Sequence, residues 1–217
     1  MEKKAATSKE KSQVEFSEID GAMLVSFARE TVSHYLKTKK IIVPEQIKND
    51  SRFNSLMGCF VTLKENDSEK NLRGCIGFAE PVYKLSYALT NAAVAAAVDD
   101  PRFPPIRSEK ELDNLLVEVS ILTPPVLISV RSQKEILGKV IVGKDGLIMR
   151  WTLGSGLLLP QVATEYSWDA EEFLCNLSMK AGAAPDQWLV PGTEILKFQA
   201  IVFSETSPKG SVVMGTD

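Results

Sequence analysis

The residues best suited to chemistry in this 217-residue chain are Leu72-Arg73-Gly74-Cys75-Ile76-Gly77. On a strand, alternate side chains share a face, so Arg73 and Cys75 point one way and Leu72 and Ile76 the other. A guanidinium two residues from a thiol favours the thiolate, the form that attacks electrophiles or binds metal. Gly74 and Gly77 remove side chains from around the sulfur, so that a ligand or another backbone can approach. The same pattern also suits a glycine-kinked strand carrying a buried cysteine. A reactive Cys75 alkylates ahead of Cys59 and Cys175, whereas an architectural one does not.

Glu118, in the alternating run Leu116 to Leu122, is the second catalytic candidate. A mid-strand carboxylate next to the cysteine strand acts as a general base or pairs with Arg73; on a wet outer face it is only solvated. Asp99 and Asp100 end an alanine-rich helix, where the dipole disfavours carboxylates, so Arg73 or Arg102 must hold them. Arg102 and Phe103, between Pro101 and Pro104, form a stiff loop that either lines a groove or closes on a salt bridge. Gln161, at the start of a short helix, offers an amide to a carboxylate or phosphate, or braces its own loop.

Other chemistries find little support. His34 is the single histidine and sits among Ser33, Tyr35 and Lys37, which reads as a surface position. A Cys-His or Ser-His-Asp arrangement is therefore not expected. Three scattered cysteines and one histidine lack zinc-ligand spacing, so no metal is expected. Neither a phosphate loop nor a dinucleotide fingerprint occurs, and no cofactor is expected.

The elements that must position these residues follow from periodicity and end signals. Ser17 and Asp20 form a capping box opening a helix to about Lys37. Gly58–Lys64 and the Arg73–Gly77 run read as a hairpin through the polar 65–71 turn. Pro81 opens a helix to about Val98, uncharged from Leu85 onward and hence packed behind the sheet. Ser108 with Glu111, and Ser132 with Glu135, cap short helices. Lys139–Val142 and Leu147–Thr152 flank an Asp145-Gly146 hairpin turn, and Gly154-Ser155-Gly156 makes a second turn. Pro160 opens a short helix, Asp169 and Glu172 cap another that Gly182 ends, and Ile195–Phe203 forms a last strand. Strands and helices mix without regular βαβ spacing, which indicates an α+β fold with a largely antiparallel sheet, flanking helices and two unequal lobes.

Composition sets the outer bounds. Hydrophobic residues make up 44% and charged residues 24%, as in ordinary globular proteins. A net charge of -3 and a pI near 5.4 argue against a dedicated nucleic-acid binder. No apolar run is long enough for a membrane span or a secretory signal. Three cysteines without a CxxC pair fit a reducing compartment, so the expected location is the cytoplasm.

With these segments placed, the chain resembles the AMMECR domain family, named after a human chromosomal-region gene product and widespread in archaea. The resemblance is carried by Leu72–Gly77, Asp100-Pro101-Arg102-Phe103-Pro104, Val117–Leu122 with Pro124-Pro125, and Gly146-Leu147-Ile148. It continues through Leu158–Ala163, Trp168-Asp169, Glu172-Phe173-Leu174 and Lys180-Ala181-Gly182, and it spans roughly residues 18 to 204. It implies a two-lobed α+β fold with the cysteine motif near the groove between lobes. It brings no reaction with it. Relatives fused to, or neighbouring, Memo-like and radical-enzyme proteins point by analogy to a modification pathway. Many members carry a histidine where this chain has Asp145, so a mechanism needing an imidazole there does not transfer.

These readings combine into one expectation. Residues 16–125 with 190–205 form the larger lobe and 126–189 the smaller, flanked by a disordered 1–15 and a loose 206–217. The site centres on Cys75 and Glu118 as catalytic residues, with Arg73, Gly74, Asp100, Arg102 and Gln161 lining it. The chain is then an enzyme or modification factor acting on a small molecule or partner protein. The alternative is a non-catalytic adaptor that takes a partner protein, less readily nucleic acid, into the groove. An exposed apolar or basic groove, or a thiol fully buried against the alanine helix, favours the adaptor.

Overall fold

A computed structural model describes residues 16–215; the expected disordered segment 1–15 lies outside the described residues. The chain forms two antiparallel sheets with helices, an α+β fold. The five-stranded sheet has the order β2-β1-β3-β8-β9, from β1 (Gly58–Glu65), β2 (Leu72–Phe78), β3 (Leu115–Leu122), β8 (Ala200–Glu205) and β9 (Val212–Gly215). The four-stranded sheet has the order β4-β7-β5-β6, from β4 (Val126–Leu127), β5 (Gly146–Trp151), β6 (Gly154–Leu158) and β7 (Glu194–Phe198).

Two helices cover one face of the larger sheet. In α1 (Glu18–Thr38) the Ser17–Asp20 capping box is complete, and Gly21 lies so close to Phe203 that a Cβ there would come within 1.9 Å of the ring. The alanine-rich α3 (Leu85–Val98) is buried along most of its length. Its small residues let it approach β2 closely: a Cβ on Gly74 would meet the Ala96 carbonyl oxygen at 2.1 Å. Cys59, Val61, Leu63, Val117, Val119, Ile121 and Phe203 fill this side as one apolar core. Two short helices, α2 (Glu45–Lys48) and α4 (Glu109–Leu112), contribute Ile47 and Leu112 to it.

The four-stranded sheet packs a second core with α5 (Pro160–Glu165) and α6 (Ala170–Lys180) around Leu147, Met149, Phe173, Leu177, Trp188 and Ile195. The Asp169–Glu172 capping box opens α6, and Gly182 follows its end at φ 76°, a left-handed value that suits glycine. A third cluster joins the sheets. It unites Leu122, Phe60, Ala79 and Ala200 with Ile148, Phe198, Leu157, Leu159 and Leu196.

Several boundaries differ from the sequence reading. Pro81 does not open α3, which starts at Leu85 after a turn and the Leu56–Lys84 bridge. Ile195–Phe203 is two strands. β7 joins the smaller sheet and β8 the larger, with Gln199 between them, so β7 belongs with the smaller sheet although 190–205 was assigned to the larger lobe. The 206–217 stretch is not all loose, because β9 pairs with β8 from Val202↔Gly215 to Glu205↔Val212. Lys139–Val142 is no strand: 3₁₀ structure over Gln133–Lys139 gives way to a turn, and the partners of β5 are β6 and β7. Ser132 makes no side-chain cap there. The Gly154–Gly156 segment lies in β6, where a Cβ on Gly156 would come within 2.6 Å of the Ala181 nitrogen; helix packing, not turning, requires the small residue.

Candidate functional site

Cys75 lies on β2, an edge strand, opposite Thr62 on β1. Thr62 lies opposite Glu118 on β3, and Glu118 opposite Ser204 on β8. Residues directly opposite in neighbouring strands share a face. Cys75, Thr62, Glu118 and Ser204 therefore form one polar row across the sheet, on the side away from α1 and α3. The Thr62 hydroxyl donates to Cys75 Sγ at 3.3 Å. Cys75 is half-buried, whereas Cys59 is fully buried on the opposite face and its thiol is pushed up by that burial. Cys175, on α6, is half-buried against the second core.

The free edge of β2 is held at Cys75 by two side chains. Asp100 Oδ2 accepts the Cys75 amide at 2.8 Å, and Arg102 Nη2 donates to the Cys75 carbonyl at 3.1 Å. Arg102 binds Asp100 through Nε at 3.0 Å and Nη2 at 2.7 Å. The Arg102 guanidinium beside Asp100 holds that carboxyl well below the usual carboxylate range, against the opposing push of burial. An edge strand presents unpaired amides and carbonyls, and this carboxylate–guanidinium pair occupies one of each, as a neighbouring strand would. Arg102 also interacts electrostatically with Cys75.

Arg73 is not the arginine at the sulfur. A register shift between Leu63 and Lys64 breaks the alternation of β2, so that Lys64 faces Leu72 and no partner stands opposite Arg73. Its guanidinium instead donates to the Pro104 carbonyl at 2.7 Å and to Glu111 at 2.8 Å, with Glu65 3.9 Å away. Only 11% of the side chain is exposed. Arg73 thus ties α4 and the Pro104 loop to the sheet. Gly74 likewise serves packing against α3, not access to the sulfur.

Glu118 also differs from expectation. β1 separates β3 from β2, so Glu118 stands two strand spacings from Cys75, about 10 Å. Its Oε2 accepts from Lys64 Nζ at 2.8 Å and from Ser204 Oγ at 2.6 Å, and Arg73 is not its partner. Gln161 sits on α5 in the smaller lobe, two residues after Leu159 of the cluster that joins the sheets. Asp145 is fully buried. It takes Lys197 Nζ at 3.1 Å, Gln199 Nε2 at 3.0 Å and the Ile141 amide at 2.9 Å, a set that fixes the strand junction. His34 lies on α1, in the helix layer across the sheet from the polar row. Among the described residues, no group of three or more His, Cys, Asp or Glu is arranged to hold a metal ion.

The sequence reading missed Thr62, Lys64 and Ser204. Pairing Gly58–Lys64 with Arg73–Gly77 in hairpin register would have put Thr62 beside Cys75. Ser204 carried no such signal, since the place of β8 beside β3 is a long-range pairing.

No described helix is long and apolar enough to cross a membrane. Protein MJ0810 of Methanocaldococcus jannaschii is 48% identical over 194 residues, covering 89% of this chain and 94% of its own length. Protein PH0010 of Pyrococcus horikoshii is likewise 48% identical over 194 residues, covering 88% and 93%. A crystal structure of PH0010, described there as an uncharacterized protein, superposes with a TM-score of 0.76 at 46% identity, covering 91% of this chain and 97% of that one. The AMMECR1 family model matches residues 25–203, and with this fold and these relatives the chain belongs to the AMMECR1 family.

Proposed function

We propose that this protein is an enzyme or modification factor whose working group is the Cys75 thiol, acting in a groove beside the joined sheets. The observation that carries this reading is the surroundings of the sulfur. Cys75 is half-exposed, a hydroxyl donates to it, and its backbone is fixed on both sides by Asp100 and Arg102. A hydroxyl donor and a nearby guanidinium are partners suited to a negatively charged sulfur. Cys59, buried in the core, shows the contrasting structural use of the same residue type.

The reaction class is displacement at an electrophilic carbon: the sulfur forms a bond to that carbon, the group it displaces leaves with the bonding pair, and the thiol proton passes to water. Glu118 and Lys64 stand farther along the row, where they line the path of a bound molecule. The test is iodoacetamide labelling of the native protein, read cysteine by cysteine by mass spectrometry across pH. Fast labelling of Cys75, ahead of Cys175 and with Cys59 inert, supports the thiol reading. Equal labelling of all three, or labelling of Cys75 only after unfolding, removes it.

One observation favours the adaptor reading. Tyr83, Tyr87, Val82 and Leu56 are exposed, and Phe78 at the end of β2 packs on both tyrosines with ring centroids 5.0 and 6.4 Å away. An exposed apolar group of this kind beside the cysteine strand suits a partner surface. Retained partner binding in a Cys75→Ser variant would support it.

A further inference from the structure

We propose that Arg102 is the anion-recognition residue of the Cys75 site, and that the molecules the site acts on carry a carboxylate or phosphate next to the carbon the sulfur attacks. This rests on the thiol reading above and adds the substrate class. Three cations of this region are Arg73, Lys64 and Arg102, and the first two are less open to solvent than the third. Arg73 is 11% exposed and bound to Glu111 and the Pro104 carbonyl. Lys64 is bound to Glu118. Arg102 differs: its side chain is 54% exposed while its partner Asp100 is 2% exposed, so the guanidinium stands between the carboxylate and solvent.

The donor inventory locates the docking edge of this exposed guanidinium. Arg102 spends Nε and Nη2 on Asp100 and the Cys75 carbonyl. Among the described residues, its Nη1 makes no hydrogen bond. A guanidinium presents five N–H donors in a rigid fork suited to carboxylate and phosphate oxygens. Asp100 fixes that fork on one side, and the Phe103 ring lies 5.4 Å from its central carbon. Little side-chain freedom is then lost when an anion docks on the open side. The fork is anchored to the backbone of Cys75 itself, so the docked anion lies close to the sulfur.

The experiment compares two alkylating probes of one reaction. In both, the Cys75 thiolate forms a bond to the methylene carbon, iodide leaves with the bonding pair, and the thiol proton passes to buffer. Iodoacetate carries a carboxylate next to that carbon, and iodoacetamide carries a neutral amide. The readout is the ratio of their labelling rates at Cys75, with Cys175 as the reference in the same molecule. A change in accessibility alters both rates alike and leaves the ratio unmoved. The expected result is a higher iodoacetate ratio at Cys75 than at Cys175. It falls about five- to tenfold in Arg102→Gln, with partial recovery in Arg102→Lys, which keeps the charge but loses the fork. A Cys75 ratio equal to that of Cys175, or unchanged in Arg102→Gln, overturns anion recognition while the thiol reading stands. Failure of Cys75 to react with either probe before unfolding overturns both.

Discussion

Asp100 accepts the Cys75 amide at 2.8 Å across 25 residues of chain, joining the end of the alanine helix to the edge strand that carries the thiol. The helix end, the loop and the cysteine strand therefore form one unit. The Asp100–Arg102 pair gives that unit a measurable energetic signature.

Replacing Asp100 with Asn keeps an acceptor for the Cys75 amide but removes the charge that pairs with Arg102. The expected cost at neutral pH is about 1–3 kcal/mol, read from urea unfolding followed by circular dichroism. The dependence on pH has a definite sign. The folded carboxyl titrates below the ordinary range, so its contribution is complete above the unfolded value of about 3.9 and is lost as pH falls toward the folded value. The wild type and Asp100→Asn should thus converge in stability on acidification below about pH 4.

How much of this was legible beforehand depended on the range of the signals. Both complete capping boxes, Ser17 with Asp20 and Asp169 with Glu172, are contacts three residues apart and could be read directly. The β1–β2 hairpin and the buried alanine helix were legible for the same reason. Arg73 misled because strict alternation puts it beside Cys75, and one bulge undoes that without any mark in composition. The break at Gln199 was hidden because the strands on either side of it are both apolar and run without a turn signal between them. The spare donor of Arg102 belongs to a contact network that no spacing rule contains.

Gly74 should tolerate no side chain. A Cβ at that position would sit 2.1 Å from the Ala96 carbonyl oxygen, which is backbone and cannot rotate away. Gly74→Ala is expected to cost about 2–3 kcal/mol, measured by the shift in urea midpoint at unchanged slope.

Glu118 should prove separable from the thiol. With β1 interposed, Glu118→Gln is expected to leave the labelling rate of Cys75 unchanged. In the same assay Thr62→Val, which removes the hydroxyl donated to the sulfur, alters it. A parallel loss of Cys75 reactivity in Glu118→Gln would show that the polar row acts as a connected chain.

The buried pair of Arg29 and Glu205 is a structural clasp of the larger lobe. Arg29 donates to both carboxylate oxygens and to the carbonyls of Leu112 and Leu115, and Glu205 also accepts the Val117 amide. Removing one partner strands a buried charge, so Glu205→Ala should cost about 3–5 kcal/mol, whereas a joint Arg29→Met, Glu205→Met replacement recovers much of that. Thermal unfolding of the three proteins checks the non-additivity.

The break at Gln199 carries a consequence for the order in which the protein is built. Phe203, the ring that Gly21 of α1 is shaped to receive, follows that glycine by about 180 residues of chain. At ribosomal speeds of about 5–20 residues per second, α1 waits roughly ten seconds or longer for that partner. Meanwhile β4 through β7 emerge as an uninterrupted stretch, and the smaller sheet has all its strands before β8 exists. The lobe that bears Cys75 is therefore the last to close, with the β3 edge open until β8 arrives. During that interval β3, already paired with β1 on its other side, leaves one edge open, and that edge is where the nascent chain is exposed to wrong strand pairing.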